Sequence, residues 1–205
     1  MERAKQAVFS PQNLVLMALF TAMQVILSRF LGIQVNEGLR ISFECIPILL
    51  AGLWIGPVSG MLVGCVSDVL GTVLSGYGAY FPLLTLGPML LGLLAGLGGR
   101  VLLSAEQPRW KDAWRVVVIV LAAEACNSLL YDTWALTLYY SIVVGKEMPF
   151  SVLFAARLAT KPFTMAADAV LAFLLHRAVY PLVLRRNASA AGAGAGGDRN
   201  GRRAE

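Results

Sequence analysis

Charge is what this chain has least of: Asp, Glu, Lys and Arg make up 14% of its 205 residues, where soluble domains carry about 25%. That shortfall excludes an ordinary water-soluble domain. Histidine occurs once, as His176, which is too little for a His-based metal site. The three cysteines, Cys45, Cys65 and Cys126, are odd in number, lack C-x-x-C spacing and sit in apolar runs. They read as small buried side chains, not as a disulfide or metal set. No Walker-type phosphate loop exists: Gly145-Lys146 is followed by Glu147, and Tyr140 stands where the first glycine belongs, so this chain cannot hydrolyse ATP through a P-loop. A G-x-S-x-G run is also missing, and the carboxylates are dispersed over several apolar segments rather than gathered in a metal-spaced motif. Enzymatic chemistry, a resident cofactor and a metal are therefore not expected. No aromatic-interleaved basic patch accompanies the net charge of +5, which argues against nucleic-acid binding.

What the chain has instead is grease. Hydrophobic residues make up 58% of it and the mean hydropathy is +0.69. A helical span needs about 20 apolar residues. Six segments emerge, near Asn13–Leu31, Ser42–Ile55, Gly56–Ser75, Phe81–Leu103, Ala113–Val144 and Phe150–Leu184. The expectation is an all-α membrane protein: one integral membrane domain over residues 1–186 with six transmembrane helices, some short or kinked. The first segment reads as a retained helix, not a cleaved signal. The second is short for a full crossing, and Pro162 inside the sixth predicts a kink. Residues 187–205, rich in Ala, Gly and Arg, read as a disordered tail. With both termini in the cytoplasm, twelve of the 17 Lys and Arg residues fall inside, as the positive-inside rule requires. Glycines four apart at Gly56, Gly60 and Gly64, and again at Gly92 and Gly96, predict close helix contacts.

Several ionisable residues interrupt these runs. A carboxylate at the centre of a membrane segment costs roughly 2.5–3.5 kcal/mol on insertion scales, so it faces protein or a water-filled cavity. Arg40, Asp68, Asp132, Arg157 and Lys161 gather toward the outer half, with Thr133 beside Asp132 and with Tyr77, Tyr80 and Phe81 at the outer rim. At α-helical spacing, Glu124, Asn127 and Tyr131 share one face, and so do Arg157, Lys161 and Asp168. Glu124 and Asp168 read first as partners that neutralise charge between helices. Arg40, Arg157 and Lys161 read as ligand-facing, because arginine matches carboxylates bidentately. Asp68 serves either to pin helices or to accept a ligand's donors. The tyrosines form either an interfacial belt or a lid over a flat ring. An outward pocket of this kind suits a ligand with one anionic end and one flat, N–H-rich heterocycle.

The run R-I-S-F-E-C-I-P-I-L-L-A-G-L-W-I-G-P-V-S-G from Arg40, then G-C-V-S-D-V-L-G and G-A-Y-F-P-L-L-T-L, resembles the substrate-binding S components of energy-coupling factor (ECF) vitamin transporters, most closely the folate type. D-T-W-A-L-T-L-Y-Y-S-I-V-V-G-K and A-A-R-L-A-T-K-P-F resemble that type's fifth and sixth helices, with Asp132 where Asn is usual. The resemblance implies a six-helix S-component bundle in a prokaryotic plasma membrane. It implies capture of a folate-like vitamin from outside and delivery through an energising module of one transmembrane scaffold protein and two cytoplasmic ATPases. It places scaffold docking on the first helix, at Ala18 and Ala22. Pantothenate or another anionic vitamin, or a self-sufficient secondary carrier, are the alternatives; no internal repeat supports the carrier.

Overall fold

Six apolar helical segments follow one another as the hydropathy pattern predicts, and each comes within a few residues of its expected start. In a computed structural model the described residues are 10–30, 33–36, 39–41, 43–75, 81–102, 113–145 and 148–201, with side chains over 10–28, 43–74, 81–102, 114–145 and 148–178. The order is α1 (Pro11–Phe30), a hairpin of β1 (Ile33–Asn36) and β2 (Leu39–Ile41), α2 (Cys45–Trp54), α3 (Pro57–Ser75) and α4 (Pro82–Leu102). Then come α5 (Ala113–Glu124), a π-helical stretch (Ala125–Tyr131), α6 (Asp132–Tyr139), a second π-helical stretch (Tyr140–Val144) and α7 (Phe150–Gly201). Proline opens α1, α3 and α4, at the position where its missing N–H would be unpaired in any case.

Among the described residues, five segments are long and apolar enough to cross a membrane: Pro11–Ser28, Pro57–Leu74, Pro82–Leu102, Trp114–Val144 and Phe150–Ala178. At 10 residues, α2 rises only about 15 Å, half the roughly 30 Å hydrocarbon core. It is buried instead. Seven consecutive residues, Ile46 to Gly52, are enclosed, as expected of a helix that is apolar all round. The outer surface is apolar too: Val73, Val101 and Phe163 are among the most exposed side chains, an arrangement that only lipid makes favourable.

One departure from the expected layout stands out. The antiparallel hairpin between α1 and α2, with Gln34 opposite Arg40, adds a small sheet to otherwise helical described residues. The backbone of α7 is helical as far as Gly201. Among the cysteines, Cys45 and Cys65 are half-buried and all three are free, but Cys126 is exposed, on the outer face rather than inside as expected.

Close packing fixes the frame. A turn at Gly56, with φ of +134°, folds α3 back from α2. At Gly60 a Cβ would lie 2.6 Å from the Gly92 carbonyl oxygen, so α3 and α4 meet backbone to backbone through the glycines spaced for it. At the C-terminal end of α2 the Trp54 indole N–H donates to His176 Nδ1 at 3.0 Å, and Phe20 sets its ring edge against Trp54. The lone histidine thus joins α2 to α7.

Candidate functional site

Burial of polar side chains between the helices creates a cavity of about 190 Å³. Gln24 and Ser28 come from α1; Glu44, Cys45 and Ile48 from the start of α2; Ser67 and Asp68 from α3; Pro88 and Leu91 from α4. Glu124 ends α5, Asn127 and Ser128 follow on the π-helical stretch, Asp132 begins α6, and α7 supplies Lys161, Thr164, Met165 and Asp168. Five carboxyl groups and a single lysine therefore line one small space.

The π-helical stretch decides which residues of the fifth segment reach it. Its i→i−5 bonding, with the Asp132 N–H donating to the Asn127 carbonyl, gives a wider turn than an α-helix. Ser128 and Asp132 thereby join Glu124 and Asn127 on the cavity side. Tyr131, which α spacing places there, instead donates its hydroxyl to the Leu83 carbonyl at 2.8 Å. Thr133 is fully buried, its hydroxyl donating to the Ser128 carbonyl at 3.3 Å; it closes the π turn rather than lining the space. Gly87 leaves room for Asp132, whose carboxylate oxygen a Cβ there would meet.

The candidate residues are distributed unevenly. Asp68, Asp132 and Lys161 line the cavity. Arg157 does not: its Nη1 donates to the Ser128 carbonyl at 2.8 Å and lies 3.9 Å from Asp132 Oδ2, so it braces the π-helical stretch and Asp132 from behind. Phe81 precedes α4 with its ring edge-on to Tyr139, 5.7 Å away. Arg40 sits on β2, but its side chain lies outside those described, and Tyr77 and Tyr80 lie outside the described residues altogether. Ala18 and Ala22 are exposed on α1 and line a separate apolar groove of about 580 Å³ between α1 and α3.

Hydrogen bonding divides the carboxylates into two groups. Asp68 Oδ2 accepts from the Thr85 hydroxyl at 2.7 Å, and Asp132 Oδ2 accepts from the Asn127 amide at 3.4 Å. Glu124 Oε1 and Asp168 Oδ1 have no hydrogen-bond partner among the described residues, nor do Gln24 Oε1, Asn127 Oδ1 and Ser128 Oγ. All five belong to cavity-lining residues, and all five side chains are more than nine-tenths buried. Ligand oxygens of Glu124 and Asp168 and the Cys45 sulfur lie within 4.8 Å of one another. Glu124 and Asp168 meet each other rather than a neutralising cation: their carboxyl groups hydrogen-bond to one another, while one oxygen of each is left without a partner.

Gln24, Ser28, Ser67, Thr85, Ser128 and Thr164 escape a reading that looks only for charge. A signal was present: Gln24 and Ser28, like Thr164 and Asp168, are four apart in apolar helices, which puts two polar groups on one face. Thr85→Val tests the Asp68 bond. Losing a donor to a charged, partly buried acceptor costs about 1–3 kcal/mol, so the unfolding midpoint in detergent should fall by several degrees. Adding Asp68→Asn to that variant should bring less than the sum of the two single losses; full additivity would mean the two groups do not interact.

Known proteins share both this sequence pattern and this fold. The family model described as ECF-type riboflavin transporter, S component, matches residues 8–181. A protein named Folate transporter FolT from Clostridium novyi (strain NT) is 29% identical over 160 residues, covering 78% of this chain and 85% of that protein. A second of that name, from Leuconostoc mesenteroides subsp. mesenteroides, is 30% identical over 131 residues, covering 63% and 66%. Among solved structures, the crystal structure of FolT bound with folic acid aligns with a TM-score of 0.63 at 25% identity, over 81% of this chain and 93% of that one. The S component of a bacterial ECF transporter aligns with a TM-score of 0.60 at 18% identity, over 83% and 96%, which speaks to the fold alone.

Proposed function

This chain belongs to the ECF-type riboflavin transporter S component family, and from that premise we propose that it is the folate-capturing subunit of such an importer. The observation that carries the reading is the cavity, with its surplus of buried acceptors, in a fold like that of FolT bound with folic acid. Its volume is below the roughly 300–1,000 Å³ of pockets that enclose a drug-sized ligand. It suits the heterocyclic end, while the anionic end leaves toward the outer side, where β2 carries Arg40. In this reading Asp68 and Asp132 contact the ring, Lys161 offsets their charge, Arg157 positions Asp132, and Phe81 belongs to the rim, for which Tyr77 and Tyr80 remain candidates from the sequence.

The chain is a multi-pass membrane protein. We place both termini in the cytoplasm, as the lysine and arginine distribution favours, with residues 1–186 as the membrane domain and 187–205 beyond it. The sequence has no P-loop motif, so uphill transport draws on partners or an ion gradient; we assign it to partners, a transmembrane scaffold protein and two cytoplasmic ATPases, as the family membership favours. Pantothenate is disfavoured, since a small anion would meet five carboxyl groups and one lysine. Riboflavin is the second reading, favoured by the description of the matching family.

Calorimetry on the purified chain decides between them. Folic acid should bind with a Kd below about 1 μM, equivalent to roughly −8 kcal/mol, and at least a hundredfold more tightly than riboflavin or pantothenate. Tighter binding of riboflavin would replace folate by flavin. Binding of none of the three would remove the vitamin reading.

A further inference from the structure

Of the six buried polar side-chain atoms without a partner among the described residues, five belong to residues lining the cavity and one, Ser59 Oγ, lies elsewhere. Glu124 Oε1, Asp168 Oδ1 and Gln24 Oε1 stand on three different helices, α5, α7 and α1, yet all three side chains line the same cavity. Leaving a buried polar atom without a partner costs about 1–3 kcal/mol, and more when it is charged. Three such atoms around one space favour an occupant that offers several donors at once over the few waters the space could hold. Asp68 and Asp132, whose oxygens already accept from Thr85 and Asn127, have less unmet demand. From this we propose that Glu124, Asp168 and Gln24 form a donor-reading floor that selects a heterocycle with an exocyclic amine beside a ring N–H, such as the 2-amino-pyrimidinone edge of a pterin.

This rests on the folate reading and adds which atoms of the ligand are chosen and by which side chains. The unpartnered oxygen of each carboxyl group can accept one N–H, Glu124 Oε1 and Asp168 Oδ1 sharing the exocyclic amine and the adjacent ring N–H between them. Gln24 accepts a further N–H. A heterocycle with oxygen or hydrogen in place of the amine would leave an acceptor opposite an acceptor, and sites built to hydrogen-bond a group reject analogues that lack it. A metal ion is the competing occupant, because Cys45, Glu124 and Asp168 offer three ligand atoms close together. Lys161 in the same lining weighs against a second cation there, and the orphaned Gln24 lies outside that trio.

The test compares folic acid with its 2-desamino analogue on the purified full chain. Wild type should prefer folic acid at least 30-fold. In Glu124→Gln and Asp168→Asn the preference should fall below about fivefold, while the Kd of the analogue itself moves less than threefold. Gln24→Leu supplies the same ratio should a carboxyl variant fail to fold, and the wild-type ratio is readable in every case. A wild type that binds both compounds within threefold of each other overturns the inference while leaving folate capture intact. So does an unchanged preference in the folded variants. A stoichiometric metal in the purified wild type, lost in Cys45→Ser, would reassign the cluster to a cation. Failure of wild type to bind folic acid at all instead removes the parent reading, and the floor with it.

Discussion

Replacing Gly92 with alanine should cost most of the fold's stability, and a larger residue should abolish folded protein altogether. The added Cβ would meet the backbone carbonyl of Gly60 on α3, and backbone cannot rotate out of the way. Extra volume in a packed interior costs about 1–3 kcal/mol where side chains can adjust, and here nothing adjustable stands opposite. The reciprocal position behaves alike, since a Cβ on Gly60 meets the Gly92 carbonyl at 2.6 Å and the Gly52 Cα at 2.7 Å. Three helices therefore share one contact without side chains, against a total stability of only about 5–15 kcal/mol. Gly99→Ala is the control: its nearest neighbour would be the Leu53 Cδ2 methyl at 3.3 Å, and a side-chain tip can turn aside. Size-exclusion profiles and unfolding midpoints in detergent should show Gly92→Ala far below wild type and Gly99→Ala close to it. Equal midpoints for the two would mean α3 and α4 are not held in this way. Separating the two helices would also break the Thr85–Asp68 bond, so residual Gly92→Ala protein should bind ligand poorly.

Much of this frame is legible in the amino-acid sequence. Segment positions follow from long apolar runs, because hydrocarbon permits little besides closed helices, and the glycine spacing on α3 and α4 announces their contact. The brevity and burial of α2 follow from ten apolar residues enclosed by Pro57 and Glu44. The site is legible only in part. Asp68, Asp132 and Lys161 are charges in grease and so invite notice. The neutral residues Gln24 and Ser128 do not, since a single amide or hydroxyl is tolerated in many membrane helices. The π-helical stretch is illegible: nothing in A-C-N-S-L-L-Y marks a change of turn, and α spacing brings Tyr131 forward in place of Asp132. Arg157 shows another limit. Its charge points to a ligand, but whether a long side chain reaches a cavity or a neighbouring carbonyl depends on packing that spacing does not encode.

The groove between α1 and α3 leads to the second large effect. Ala18→Trp or Ala22→Trp should reduce vitamin uptake in cells more than tenfold while changing the Kd of the purified chain less than about twofold, or roughly 0.4 kcal/mol. In lipid there is no hydrophobic gain from joining two apolar helices, because tails solvate them as well as leucine does; association depends on close van der Waals packing across small residues. Ala18 and Ala22 lie one turn apart, exposed, on the rim of an apolar hollow of about 580 Å³ whose far wall is Leu62, Val66, Leu70 and Leu74 of α3. The docking proposed at this groove seats a helix of the scaffold protein against those two methyl groups, with room for nothing bulkier. An indole would fill the hollow from this chain's own side and hold the partner away. The vitamin cavity opens among Gln24, Ser28 and residues of five other segments and shares no lining residue with the groove, so binding should survive. Val101→Trp, on the exposed face of α4, places the same bulk against lipid and should leave uptake unchanged. Uptake at the wild-type rate in both alanine variants would move docking to another face, whereas parallel loss of binding and uptake would mean that tryptophan disturbs the bundle itself.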